Sequence, residues 1–76
     1  MATIDIVSEV TGTVWKIAAQ AGQQLAPDDE VLVIESMKME IPVCTSQGGV
    51  LRELLVAEGD MVQEGAVVAR LEVGEA

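Results

Sequence analysis

Two stretches of this chain carry the same pattern, and that repetition limits its possible folds more than any other feature. Gly12-Thr13-Val14-Trp15-Lys16 resembles Gly48-Gly49-Val50-Leu51-Arg52. Ala21-Gly22 then answers Ala57-Glu58-Gly59 with one added residue. Leu25 matches Val62, Val31 matches Val68, Ile34 matches Leu71 and Glu35 matches Glu72, while upstream Ile4 and Ile6 fall opposite Ile41 and Val43. The chain therefore reads as one domain, 1–76, built from two related halves, 3–36 and 40–73. Neither half can bury its own apolar face. Two such halves packed face to face give one thin core, a flattened barrel or sandwich.

The apolar residues agree with a thin core. Half the chain is hydrophobic, yet Trp15 is the only aromatic, and the rest is mainly Val, Ile, Leu and Ala. β-Branched side chains of this kind suit narrow sheets. Gly and Pro recur at short intervals, and no segment shows a helical apolar stripe. The pattern predicts strands over 3–7, 13–19, 31–36, 39–44, 50–56 and 67–73, with short pieces near Gln24 and Met61. Ala26-Pro27-Asp28-Asp29 predicts a β-turn, because Pro pre-sets φ there. Trp15 is expected to pack in or half in the core, with contact to a partner as the alternative, and Cys44 to lie buried in a strand, with Glu58 and Asp60 as solvated turn acids.

Between the halves lies Glu35-Ser36-Met37-Lys38-Met39-Glu40. A hairpin with Met37-Lys38 as its loop sets Ser36 against Met39, Glu35 against Glu40 and Ile34 against Ile41, which keeps the apolar pair in register. The loop is a poor choice for stability. Two-residue hairpin loops need φ > 0 and favour Asn-Gly, a conformation that Met and Lys tolerate poorly. Two carboxylates facing one another also repel. Several local rules failing together at the centre of a pseudo-symmetric chain mark a functional position.

The formal net charge of −9 argues against nucleic acid and anionic membrane as partners. With no His and a single Cys, there is neither a disulfide framework nor a zinc ligand set, and no nucleophile–base–orienting group arrangement. No apolar run approaches membrane-spanning length, and the start shows no basic and apolar leader. The expectation is a non-catalytic, monomeric, cytoplasmic protein.

Glu35-Ser36-Met37-Lys38-Met39-Glu40 resembles the attachment motif of the biotinyl/lipoyl carrier family, in its biotin form. Gly49-Val50 and Glu58-Gly59-Asp60-Met61-Val62 follow the same family pattern, so the resemblance covers nearly the whole chain. It implies an all-β fold, a flattened barrel of two four-stranded antiparallel sheets related by a pseudo-twofold axis, with the modified lysine on a hairpin at one end. It implies biotin as the covalent cofactor on Lys38, added by a biotin protein ligase. The chain would then be the carrier that moves a carboxyl group from biotin carboxylase to carboxyltransferase. Met37 and Met39 would pack against the cofactor or a partner's pocket, or else cover the hairpin end, and Glu35 and Glu40 would serve recognition by the ligase or another partner. Two departures stand out. Glu9-Val10-Thr11-Gly12 replaces the usual Pro-Met-Pro-Gly, which removes a backbone constraint, and Gln20-Ala21-Gly22 is too short for the protruding loop of some bacterial carriers.

An unassisted lysine amine is almost wholly protonated near neutral pH, so the ligase must supply desolvation or a base. A lipoyl carrier would use the same fold and lysine, but lipoyl domains typically show Asp before the lysine and Ala after it. Met on both sides points to biotin. Lipoate, modification by both ligases, and an unmodified interaction module of the same fold remain as alternatives.

Overall fold

The computed structural model describes residues 2–74, so Met1, Glu75 and Ala76 of the expected 1–76 domain lie outside the described residues. The strands are β1 (Ala2–Val7), β2 (Gly12–Ile17), β3 (Gln24–Leu25), β4 (Glu30–Ser36), β5 (Met39–Cys44), β6 (Gly49–Leu54), β7 (Met61–Val62) and β8 (Val67–Val73). They form two four-stranded antiparallel sheets, β1-β8-β6-β3 and β5-β4-β2-β7, as expected. The second carries the Met37-Lys38 turn and is called the hairpin sheet below; the first is the opposite sheet.

Each sheet draws two strands from each half, which ties the halves together. Every strand of the second half starts 37 residues after its counterpart: 2 and 39, 12 and 49, 24 and 61, 30 and 67. This corrects one register read from sequence. Gly12 corresponds to Gly49, not Gly48, and no residue is added before Gly59. The turn of each half also bonds to a strand of the other. Gly59 N–H donates to Val14 O at 2.8 Å, and Gly22 N–H to Leu51 O at 2.6 Å. Such exchanged contacts explain why one half would leave both apolar surface and backbone groups unmatched.

The core repeats the symmetry. Val14 and Leu51, Val31 and Val68, Ile34 and Leu71, Leu25 and Val62, and Ile6 and Val43 are all buried in one cluster. Burying each Val, Leu or Ile contributes about 1.5–3 kcal/mol. Ser8 and Thr45 are the buried polar side chains among the described residues, and they too are counterparts. Their hydroxyls donate to Val10 O at 2.6 Å and Gln47 O at 2.7 Å, so neither is left unsatisfied.

Both β2 and β6 end two residues earlier than the sequence pattern suggests. Ala18 and Ala19 both donate to Val31 O, which bends the chain out of the ladder, and Leu55 donates to Val68 O beyond the end of β6. The expected turn at Ala26 is present, with Asp29 N–H donating to Ala26 O at 3.1 Å and Asp28 at φ 72°.

One residue faces the other way from expectation, and a second is half-buried outside the core. Cys44 is exposed, because Val43 takes the inward position and alternation turns the next residue out. Partial desolvation, and then the carboxylates of Glu30, Asp28 and Asp29, push its thiol pKa up. Trp15 is 48% exposed and outside the core. It is the extra residue of a β-bulge: β4 pairs Ile34 with Val14 and Val33 with Lys16, leaving Trp15 unpaired between them.

Candidate functional site

The hairpin sits where the two halves join, and its register is the one read from sequence. Ser36 pairs with Met39, Glu35 with Glu40 and Ile34 with Ile41. Ile34 is fully buried, and this anchors the register, since a one-residue slip would expose it. Met37 and Lys38 have φ of 53° and 64°, both left-handed, as a primed two-residue turn requires. Holding a non-glycine residue there costs roughly 1–2 kcal/mol each. The tip is thus strained locally and held from below.

The sequence did not reveal what holds it. Ser36 Oγ donates to Thr11 O at 2.9 Å, and Thr11 Oγ1 accepts from Glu64 N–H at 2.9 Å. Thr11 therefore links the base of the hairpin to the loop after β7. It occupies the segment where a proline constraint had been given up, and two hydrogen bonds supply a constraint in its place. Gly12 is a second fixture. A Cβ there would run into the Glu35 carbonyl oxygen and crowd Ile34 Cγ2, so β2 packs against β4 only with glycine at this point.

Above this base the tip is open. Met37 is 91% exposed and Met39 63%, and Lys38 is exposed. Among the described residues, no side-chain hydrogen bond or ion pair engages Met37, Lys38 or Met39. The lysine amine is free to be approached from outside, and two apolar, flexible thioether side chains stand beside it. Glu35 and Glu40 face each other in the row next to the tip, on the outside of the hairpin sheet. Thr13 and Met61 complete that row through β2 and β7. All five residues picked out by the motif, Glu35, Met37, Lys38, Met39 and Glu40, come together in one hairpin.

Two acids expected to be merely solvated have structural work. Glu58 Oε2 accepts from Ile17 N–H at 3.2 Å, and Asp60 Oδ2 accepts from Ala57 N–H at 2.8 Å. The partner of Asp60 lies in its own turn, an arrangement repeated by Gln23 and Gln20, but Glu58 reaches a strand of the other half and no local pattern announces it.

At the tip, the exposed Lys38 amine has no hydrogen-bond or ion-pair partner among the described residues. Among the described residues no cluster of His, Cys, Asp and Glu could hold a metal ion. What the arrangement offers is a single amine displayed on a rigid scaffold, suited to acylation by another protein.

The model of a family described as biotin-requiring enzyme matches residues 5–71. The chain is 41% identical over 63 residues to a biotin/lipoyl attachment protein of Bacillus subtilis, covering 83% of this chain and 86% of that one. A biotinylated protein homolog of Mycobacterium leprae is 34% identical over 65 residues, covering 86% and 92%. The urea carboxylase of Kluyveromyces lactis contains a similar domain, with TM-score 0.90 and 35% identity, covering 95% of this chain but 6% of that much longer one.

Proposed function

This chain belongs to the biotin-requiring enzyme family, and from that premise we propose that Lys38 is its attachment residue and that the loaded chain serves a biotin-dependent carboxylase. The domain is a carrier of the biotin carboxyl carrier type and not itself a catalyst. The observation that carries the assignment to Lys38 is its place on a strained, fully exposed turn, flanked by Met37 and Met39 and braced through Ser36 and Thr11.

The residues present fit biotin as the group to be carried. The amine of Lys38 has no partner among the described residues, so none of them competes with acylation. In loading, Lys38 Nζ bonds to the carboxyl carbon of biotin activated as its adenylate, the carbon–oxygen bond to phosphate breaks and AMP leaves, and the amine proton passes to a base of the ligase. When bound, biotin supplies a ureido nitrogen able to accept and release a carboxyl group. Met37 and Met39 offer soft apolar contacts beside the arm. Glu35 and Glu40 give partners a charge by which to recognise the hairpin. The rigid domain and its tether keep the carried group at high local concentration near each partner site.

The partners are a biotin protein ligase for loading, then biotin carboxylase and carboxyltransferase, met by a monomeric carrier spanning the whole chain, in the cytoplasm. The test is intact mass after incubation with a biotin protein ligase, ATP and biotin. One biotin adduct on the native chain and none on Lys38→Ala is the expected result. No adduct on folded native chain would overturn the assignment.

A further inference from the structure

The two sheets are built from counterpart positions, yet their outer faces differ in kind. On the opposite sheet, Arg70 pairs with Asp5 at 3.4 Å and with Glu53 at 3.3 Å, and Arg52 pairs with Glu72 at 3.2 Å. Shifted by the 37-residue repeat, these positions on the hairpin sheet are Val33 for Arg70, Pro42 for Asp5, Lys16 for Glu53, Trp15 for Arg52 and Glu35 for Glu72. An ion-paired face has become an apolar one with an acidic margin. Val33 lies between the core residues Leu32 and Ile34, so it points outward, yet it is only 6% exposed. The pairing puts Pro42 on one side of it and Lys16 on the other, with Trp15 on the bulge alongside. Exposed Met61 and the Glu35–Glu40 pair continue this face to the foot of the tip.

The ion-paired version stands on the same scaffold, so the fold does not require the apolar one. An exposed indole beside a proline and a valine, bordered by carboxylates, is the composition of a protein-docking surface. The chemistry complementary to it is an apolar centre rimmed by arginine or lysine. The length of the arm decides which partner. The bare lysine side chain is short, so an enzyme acting on unmodified Lys38 must press against the rows just below the tip. The Val33–Pro42 row lies about 10 Å down the strands from Ser36–Met39. Enzymes that receive the loaded chain reach it at the end of a much longer arm and need not touch the sheet. We propose that the outer face of the hairpin sheet, centred on Trp15 and Pro42 with Glu35 and Glu40 at its margin, is the surface on which the biotin protein ligase docks through a cationic, apolar-centred patch. This inference rests on the attachment reading of Lys38.

The experiment is steady-state loading by a biotin protein ligase with the carrier chain as the varied substrate. Trp15→Ser is compared with Arg52→Ser, its counterpart on the opposite sheet, and each variant is first shown to be folded by circular dichroism. Trp15→Ser is expected to raise KM about tenfold or more with little change in kcat. Arg52→Ser should leave KM where it was. Lys16→Glu, an exposed change that removes a like charge facing a cationic partner, should lower KM, and added salt should erase that gain. Equal KM for Trp15→Ser and Arg52→Ser, or a higher KM for Lys16→Glu, would overturn the docking surface while leaving the attachment site standing. No loading of the native chain would overturn the attachment reading, and this inference with it.

Discussion

The hairpin sheet and the opposite sheet are near-copies inside and unlike outside. Their inward residues match position by position, Val14 with Leu51 and Ile34 with Leu71. Their outer faces diverge, Trp15, Val33 and Pro42 against Arg52, Arg70 and Asp5. The hairpin sheet also carries the β4–β5 turn on Met37-Lys38, both left-handed. Symmetry is kept where packing demands it and dropped where something other than packing is served. The asymmetric features therefore mark where function was placed on a scaffold whose stability is shared evenly.

That comparison can be tested by paired substitutions. The largest effects belong to the core. Ile34→Ala and Leu71→Ala should each cost about 2–5 kcal/mol in urea unfolding, with similar values for the pair. A large disparity would break the claim that the halves share stability evenly. Next come the glycines. Gly12→Ala and Gly49→Ala each drive a Cβ into a backbone carbonyl, of Glu35 and of Glu72 respectively. Each should lose about 1–3 kcal/mol. Only Gly12→Ala, which disturbs the base of the hairpin, should also slow loading of the protein that remains folded.

A smaller effect has the opposite sign. Replacing Met37-Lys38 by Asn-Gly suits the turn and should raise stability by about 1–2 kcal/mol while abolishing loading. A stability loss would show that the tip is not strained. The smallest change is expected for Arg70→Ala. Its partners are about half exposed, so thermal unfolding should fall by less than about 1 kcal/mol, and less again in high salt.

Much of this was legible in the sequence because it depends on local alternation. The strand pattern, the hairpin register and the positive-φ requirement at Met37-Lys38 follow from side-chain period and turn chemistry alone. What escaped depends on contacts distant in sequence. The bulge that turns Trp15 outward is set by pairing with β4, and nothing in Val14-Trp15-Lys16 announces it. The sequence sets Gly12 against Gly48, whereas the close approach of Gly49 to Glu72, matching that of Gly12 to Glu35, makes Gly49 the counterpart. Thr11 looked like a lost constraint until its bonds to Ser36 and Glu64 came into view. Cys44 was misplaced because a small apolar residue at a strand end fits either face.

The chain contains two lysines, Lys16 in the flat of the hairpin sheet and Lys38 at its tip, and they provide the most direct test of the central claim. The measurement is peptide-level mass spectrometry of the chain after exposure to a biotin protein ligase and a lipoate ligase together, with both cofactors and ATP. Biotin on Lys38, with Lys16 unmodified, is the expected result. A lipoyl group on Lys38, or any adduct on Lys16 in place of Lys38, would contradict it.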